Sequence, residues 1–488
     1  MAPAAKLVGL AIFKMDGGFD ADVYEVINWL IENAPTYHIV VASNSWGGGD
    51  DAQLNQLMNS LVEHGVVTVV AAGNSGYGAN IGSPGSADLV ITVGAVNDLN
   101  EMAEYSTSGD SSTGNTIKPD VTANGGSGWN TNHYANTDDE DENGYRGKIG
   151  SVDSNDAQNT AGSNNYVDWP GTSMATPHVS GLAALIIDAM GGWNSWQYTK
   201  EQALLVKMII LMTAVEFTRA ENPSKVPAPD LNRGGKDNIE GYGRINADAA
   251  VMAVLNRLEV GQSYSYYLGS TSSSAQWYAP RAWAGHIYLE AGQEYTFTLD
   301  VPSGADFDVY IYRGYPNEYG EPVLLEKGVN PEFGGDEEVV FTPSESGKYY
   351  VVVKWIDRGP SYDTQNAGQF TLSIQSGTAG GGGGGGTGGG GEEAYTPPCT
   401  ISGTVSGDGR TGAHYDNPSS SAWVEFKINL ESGVEYKFTL NWDSGSDLDM
   451  YLYKPNTAPS QDGSGNDYVT RAYTTNKPET FTYTADTG

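Results

Sequence analysis

The segment from Gly171 to Gly181 holds a serine in a setting that suits a nucleophile. It reads Gly-Thr-Ser-Met-Ala-Thr-Pro-His-Val-Ser-Gly, and an apolar run over 181–190 that predicts a helix follows it. The Gly-Thr turn places Ser173 at the start of this helix, where the hydroxyl is exposed and the helix N-terminus favours developing negative charge. The segment therefore predicts serine chemistry at Ser173. The alternative is a Gly/Ser turn that only caps a buried helix.

A second segment ends in a side chain that could bind an anion. Residues 66–74 read Val-Val-Thr-Val-Val-Ala-Ala-Gly-Asn, and a continuous apolar run of this kind is typical of a parallel strand buried on both faces. Gly73 and Asn74 stand at its carboxyl end, where open α/β sheets place their ligands. Taken alone, a Gly-Asn pair is more often a simple turn.

Together the two segments resemble the subtilisin-like serine peptidases, the S8 or subtilase family. The resemblance covers about residues 2–256 and includes the segments 118–123 and 241–247. It implies that Ser173 is the nucleophile and that Asn74 donates its side-chain amide to the oxyanion, together with the Ser173 N–H. In subtilisin, loss of that donor costs about 100- to 1,000-fold in turnover.

The resemblance also implies where a polypeptide substrate binds. The edge at residues 44–48 would pair with an extended substrate as an added strand. The substrate-binding residues implied in this way are Ser45, Trp46, Gly47, Ala72 and Gly73.

A subtilase triad also needs an aspartate and a histidine upstream of the serine. The expected Asp-Ser/Thr-Gly and His-Gly-Thr-His motifs do not occur in the sequence. The resemblance gives neither His64 nor His178 a catalytic role. We therefore expect a fragment whose catalytic Asp and His lie upstream, and no peptidase activity from residues 1–488 alone, because a serine without an imidazole base is a poor nucleophile. A catalytically dead scaffold that acts in surface binding or adhesion is the alternative.

Alternating apolar strands and amphipathic helices predict an α/β fold for residues 1–257, with a doubly wound, mostly parallel, subtilisin-like sheet that is incomplete at its N-terminus. Residues 124–168 are polar and predict a surface insertion, whose acidic run at 138–142 is either a calcium site or a solvated loop. The predicted strands are 7–13, 39–46, 66–72 and 89–96, and the predicted helices are 21–33, 51–64, 181–190, 201–214 and 246–256.

From residue 258 onwards, Tyr/Thr-rich alternation predicts two all-β sandwich modules. The first spans 258–376, a glycine-rich linker spans 377–393, and the second, truncated module spans 394–488. Segment 290–299 corresponds to 431–440, and segment 306–312 corresponds to 447–453, with a constant offset. Both modules resemble the pre-peptidase C-terminal domain found behind secreted peptidases.

The repeated Asp-x-Asp-x-Tyr-x-Tyr pattern allows three readings. Aspartates two apart on a strand share a face and could bind Ca²⁺ as a structural ion. The tyrosines on that face could instead contact carbohydrate or protein, or the carboxylates could be purely structural. Catalysis by the subtilase chemistry requires no cofactor. The calcium candidates are Asp306, Asp308, Asp447 and Asp449.

The overall charge limits the classes of partner. The net charge is −35, from 60 acidic against 25 basic residues, which argues against nucleic acid and anionic membranes as partners. Cys399 is the only cysteine, so no intrachain disulfide can form and a chance free thiol is expected. The sequence contains neither a signal peptide nor an apolar run long enough to span a membrane. The composition and the resemblance predict an extracellular or cell-surface protein.

Overall fold

The computed structural model groups residues 1–379 into one compact unit and residues 380–488 into a second. The predicted boundary at 257/258 lies inside the first unit. We use "peptidase half" for residues 1–257 and "first β module" for residues 258–376. The residues that the structure describes are 2–12, 23–97, 99–109, 114–127, 148–151, 166–269, 279–357, 366–376, 430, 434–440, 450–453, 468–472 and 479–485.

A parallel sheet forms the centre of the peptidase half. Its strands lie side by side in chain order. Every residue of the two central strands is buried, as expected for parallel strands covered on both faces. The α/β fold class and the strands predicted at 39–46, 66–72 and 89–96 are thereby confirmed. The strands are β1 (Val41–Asn44), β2 (Val67–Ala71), β3 (Ile91–Val96) and β4 (Val121–Asn124).

Helices follow from apolar spacing and capping. The first helix buries Val23, Ile27 and Leu30 at the predicted helical spacing. Asp51 caps the second helix by accepting two N–H bonds of its first turn. The third helix contacts all four strands. The helices of the described part are α1 (Val23–Tyr37), α2 (Ala52–Glu63), α3 (Thr172–Ala189), α4 (Lys200–Thr213) and α5 (Ala247–Leu255).

Two predictions about elements are wrong. Residues 7–12 form no strand in the described structure, and Leu7 is 95% exposed, because no described strand lies beside them to complete the hydrogen bonds of a sheet. Helix α3 begins at Thr172 instead of residue 181. Pro177 and Gly181 both lie inside the helix.

The predicted insertion at 124–168 is described only in part. Strand β5 (Lys148–Ser151) pairs antiparallel with β6 (Tyr166–Trp169) within it. The acidic run at 138–142 lies outside the described residues, so its calcium or loop reading stays a prediction.

The first β module is a sandwich of two four-stranded antiparallel sheets, in the orders β11-β10-β13-β8 and β12-β9-β14-β7. Alternate residues of several strands point into the layer between the sheets, as in β12 and β14. The all-β prediction for 258–376 is confirmed. The strands are β7 (Ser263–Leu268), β8 (Ala282–Leu289), β9 (Tyr295–Asp300), β10 (Phe307–Arg313), β11 (Leu324–Gly328), β12 (Glu337–Phe341), β13 (Gly347–Trp355) and β14 (Gly368–Ser376).

The second unit is described as two strand pairs. Strand β15 (Glu435–Leu440) pairs with β18 (Glu479–Thr484), and β16 (Met450–Tyr453) pairs with β17 (Tyr468–Ala472). Strands β15 and β16 correspond to β9 and β10 in the sequence repeat. The linker, Cys399, Asp447 and Asp449 lie outside the described residues.

A buried ionic cluster lies beneath the start of β4. Asp120 is fully buried, with its carboxylate oxygens 2.7 Å from the Nζ atoms of both Lys118 and Lys236 and 3.7 Å from that of Lys207. Burial alone would raise the pKa of Asp120, but the three lysines outweigh it and hold the pKa well below its usual range. The stabilisation of the fold by the ionised Asp120 carboxylate is therefore present at neutral pH and is lost as the pH falls below about 4.

We predict that Asp120→Asn destabilises the chain by about 3–5 kcal/mol at pH 7, because it leaves buried ammonium groups without their carboxylate. Urea unfolding monitored by circular dichroism measures this change. Asp300→Asn, at an exposed position, is the matched control and should have almost no effect. Equal stabilities for the two variants would contradict the central role of Asp120.

Glu337 is a buried acid in the first β module. It is 4% exposed, and burial raises its pKa to about 7, with Asp308 and Asp306 adding to the shift. A carboxyl whose pKa is raised in the folded state stabilises the fold most below the unfolded-state pKa of about 4.5. That contribution is lost as the pH rises through about 7.

We predict that Glu337→Gln removes this pH dependence. Between pH 5 and pH 8 the variant should gain about 2 kcal/mol of stability relative to wild type, because the neutral amide carries no buried charge. Unfolding free energies at both pH values measure the gain. Glu338→Gln, at the adjacent exposed position of β12, should follow the wild-type profile. If the stability of Glu337→Gln changes with pH as that of wild type does, Glu337 is not the source of the pH dependence.

Candidate active site

The N-terminus of α3 is capped by a residue distant in the sequence. Gly171 occupies the N-cap position and makes no side-chain cap bond. Instead, the Thr172 N–H and the Thr172 hydroxyl both donate to Asn74 Oδ1, at 3.0 and 2.9 Å. The same hydroxyl accepts the Gly73 N–H at 3.2 Å. The end of β2 and the start of α3 are therefore joined by hydrogen bonds that satisfy an otherwise unpaired N–H of the first helical turn.

This capping orients the Asn74 amide. Because Oδ1 accepts both bonds from Thr172, the Nδ2 group is the end left to act as a donor elsewhere. A Cβ placed on Gly171 would lie 3.6 Å from Asn74 Nδ2 and 3.7 Å from the backbone N of Ser173. The two nitrogen donors thus lie close together beside Gly171. The arrangement can stabilise a negatively charged oxygen.

A proline in α3 frees the backbone carbonyl of the serine. Pro177 has no N–H to bond the carbonyl four residues earlier, which belongs to Ser173. The Ser45 hydroxyl donates to that carbonyl at 2.9 Å, and the Ser173 hydroxyl donates to the Ser45 carbonyl at 3.2 Å. This reciprocal pair fixes the start of α3 against the segment that follows β1.

The segment after β4 supports the same turn. The Gly171 N–H donates to the Gly125 carbonyl at 2.8 Å, and the Tyr105 hydroxyl donates to the Gly126 carbonyl at 2.9 Å. A Cβ on Gly125 would lie 2.6 Å from the Gly171 oxygen, so the close approach requires glycine. Burial, reinforced by Glu221, raises the pKa of Tyr105 well above its usual range and keeps the hydroxyl a donor.

The predicted substrate-binding residues lie near this turn in the chain's hydrogen-bond network. Ser45 contacts Ser173 directly, and Gly73 contacts Thr172. Trp46 is half-buried and packs on the core, Gly47 is exposed, and Ala72 is buried. Their role in binding substrate stays a prediction.

The described histidines bond elsewhere. The His64 Nδ1 atom lies 2.7 Å from the Ser60 carbonyl and the His178 Nδ1 atom 2.8 Å from the Met174 carbonyl. Within the described ranges, no hydrogen bond joins a histidine to the Ser173 hydroxyl. His133 and His414 lie outside those ranges.

The calcium candidates of the first β module face a cation of the protein itself. The Arg233 Nη1 atom lies 2.7 and 2.8 Å from the two Asp308 carboxylate oxygens, and Nη2 lies 3.8 Å from Asp306. A guanidinium in this position does not fit a calcium site at these carboxylates. Tyr310 and Tyr312 are fully buried, so the reading of them as an exposed contact surface is wrong.

Sequence reasoning missed the partners that hold this site in place. Thr172 lies inside the segment 171–181 that predicted the nucleophile, and its position next to Ser173 could have indicated its role. Ser45 was predicted only as a substrate contact. Its bonds to Ser173 had no local signal, because the two residues are 128 positions apart.

The family model described as the subtilase family matches residues 1–243. The chain belongs to the subtilase family. Subtilisin-like protease 2 of Pseudogymnoascus destructans is 35% identical over 196 residues, which cover 40% of this chain and 40% of that protein. The extracellular protease of Xanthomonas campestris pv. campestris is 26% identical over 373 residues, covering 72% of this chain and 53% of that protein. The chain spans about two fifths of the length of the first curated relatives that it matches.

A solved pre-peptidase C-terminal domain of a Bacillus anthracis collagenase is similar to a smaller part of this subtilase. It is 14% identical, covers 25% of this chain and 93% of that domain, and has a TM-score of 0.19. A score this low adds nothing to the resemblance of the β modules. Among the described residues of the subtilase, no helix is long and apolar enough to cross a membrane.

We predict that Thr172→Val lowers the free energy of unfolding by about 1–3 kcal/mol, because it leaves Asn74 Oδ1 with one donor and the Gly73 N–H without its acceptor. Thermal and urea unfolding measure the loss. Ser75→Ala, at an exposed position beside Asn74, is the control. If both variants are as stable as wild type, the Thr172 hydroxyl does not organise the turn.

Proposed function

We propose that this subtilase is a secreted serine endopeptidase that cleaves polypeptides through an acyl-enzyme on Ser173. The observation that carries the proposal is the placement of two donors, Asn74 Nδ2 and the Ser173 N–H, around the space beside Gly171. Donors fixed before the reaction stabilise a developing oxyanion without the cost of reorganisation. A binding scaffold would have no use for this arrangement.

The mechanism follows from these groups. Ser173 Oγ attacks the scissile carbonyl carbon while a base takes its proton, and the carbonyl oxygen becomes an oxyanion held by Asn74 Nδ2 and the Ser173 N–H. As this intermediate collapses, the protonated base gives its proton to the leaving nitrogen, which departs as the amine and leaves the acyl-enzyme. Water then attacks the ester through a second oxyanion, which releases the acid. We propose that the base is a histidine oriented by an aspartate, both outside the described residues.

Substrate would bind in extended form along residues 44–48, adding a strand to the end of β1. Backbone pairing of this kind favours broad specificity, because it reads the main chain and not the side chains. The extracellular location is supported by the Xanthomonas relative, named an extracellular protease. Contacts of the second β module with protein or carbohydrate stay within this proposal.

We predict that a fluorophosphonate probe labels Ser173 when the base is present. The experiment uses the 488-residue chain and, in parallel, the same chain extended by any upstream reading frame of its gene. Labelling should require Ser173 and should fall about 100- to 1,000-fold in Asn74→Asp. That variant keeps the Oδ1 acceptor for Thr172 but loses the donor, so its fold should be retained. Mass spectrometry of the labelled peptide and the labelling rate are the measurements.

Ser75→Ala is the matched control and should label at the wild-type rate. Absence of labelling in both folded proteins would contradict the peptidase proposal and favour the dead-scaffold alternative. Labelling that is insensitive to Asn74→Asp would contradict the assignment of the oxyanion donor.

A further inference from the structure

We propose that the first β module is an obligate folding partner of the peptidase half, because each half carries buried charges whose counter-charges belong to the other. This inference goes beyond peptidase activity and does not depend on it. Two ion pairs and one longer-range attraction across the 257/258 boundary carry it, together with a backbone hydrogen bond.

The first contact places a cation of the peptidase half in the module. Asp308 of β10 is fully buried, and both of its oxygens accept hydrogen bonds from Arg233. The Tyr310 hydroxyl donates to the same carboxylate at 2.8 Å. A Cβ on Gly234 would lie 2.9 Å from the Tyr310 ring, so the residue after the arginine also fits closely. The Asp-x-Asp-x-Tyr-x-Tyr face of β10 therefore binds the Arg233–Gly234 loop of the peptidase half.

The second contact runs in the opposite direction. Lys354 of β13 is 2% exposed, and its Nζ has no hydrogen-bond partner among the described residues. Glu216 and Glu240 of the peptidase half and Asp308 of the module are the acids that attract it, while burial lowers its pKa to about 8. Lys354 is therefore a buried cation of the module that acids of the peptidase half attract.

Glu216 links the two contacts. Its Oε1 accepts the Asn232 N–H at 2.6 Å, and its Oε2 accepts the Gly234 N–H at 3.2 Å. These bonds hold the loop on both sides of Arg233. The acid that faces Lys354 of the module thus also shapes the loop that enters the module.

A third contact joins the module to the cluster beneath β4. Lys236 lies 2.8 Å from Glu321 of the module and 2.7 Å from Asp120. One backbone hydrogen bond also crosses the boundary itself, since the His286 N–H donates to the Asn256 carbonyl at 2.9 Å.

Separation of the halves would leave buried charges without partners on both sides. Asp308 would lose Arg233, Glu321 would lose Lys236, and Lys354 would lose the attraction of Glu216. Uncompensated buried charge is among the costliest changes a fold can undergo. A module that is only tethered behaves differently, because domains joined by small polar interfaces move independently. The two halves should therefore open as one cooperative unit.

Native-state hydrogen exchange of the 488-residue chain tests this proposal. Amides of β3 in the peptidase half and of β13 in the module should exchange through the same opening, with the same denaturant dependence. Arg233→Ala should speed exchange in both strands by the same factor, at least about 100-fold. Arg313→Ala is the control, because Arg313 bonds only to carbonyls of its own module and stacks on Tyr315. It should leave β3 unchanged.

Arg233→Lys keeps the charge but loses the guanidinium, whose Nη1 bonds both Asp308 oxygens while Nη2 lies near Asp306. It gives a milder test should Arg233→Ala fail to fold. It should speed exchange in β3 and β13 equally, by about tenfold. Faster exchange in β13 with unchanged exchange in β3, in either variant, would overturn the proposal and make the module an independent domain. Because the readout is exchange and not activity, a failure of the peptidase proposal leaves this test intact.

Discussion

The hydrogen bonds between Asn74 and Thr172 are the interaction on which the candidate site depends. They cap α3, tie it to the end of β2 and decide which end of the Asn74 amide remains available as a donor. A helix start normally supplies its own cap through an N-cap side chain, but Gly171 has none. The cap therefore also orients the amide proposed as the oxyanion donor, so that stability and the proposed chemistry depend on one contact.

The segment from Asp120 to Gly125 connects this site to the remainder of the first unit. At its beginning, Asp120 holds the buried lysines, one of which reaches Glu321 of the first β module. At its end, the Gly125 carbonyl accepts the Gly171 N–H. Strand β4 lies between these two points and pairs with β3. Strand β4 thus lies between the contact with the first β module and the turn that carries Ser173. The position of that turn depends on a sheet that the module contacts through Lys236 and Glu321.

Local sequence patterns predicted most helices and strands, but they could not predict which side chains far apart in the sequence bond to each other. The apolar run of β2, the spacing in α1 and the sequence repeat of the modules each depend on neighbouring residues, so periodicity sufficed. Helix α3 begins earlier than its apolar run, and the helical bond lost at Pro177 is replaced by the Ser45 hydroxyl, 128 residues away from its acceptor Ser173. Sharing of one face by Asp306, Asp308, Tyr310 and Tyr312 was foreseeable from strand geometry, whereas the arginine that covers that face lies 75 residues from Asp308.

Several of the few basic residues of this chain are buried. Of 25 lysines and arginines in the chain, a set of nearly buried ones serves the interior and the boundary between the halves: Lys118, Lys207, Arg219, Arg281 and Lys354. Lys118 and Lys207 lie beside Asp120, and Arg219 lies 3.4 Å from Asp357. Buried acids such as Asp120, Asp308 and Asp357 leave the surface together with these cations, so the surface that a partner meets stays strongly acidic. The same cations that join the halves are withheld from the surface, which explains how a chain poor in lysine and arginine can still have ion pairs at its most buried contacts.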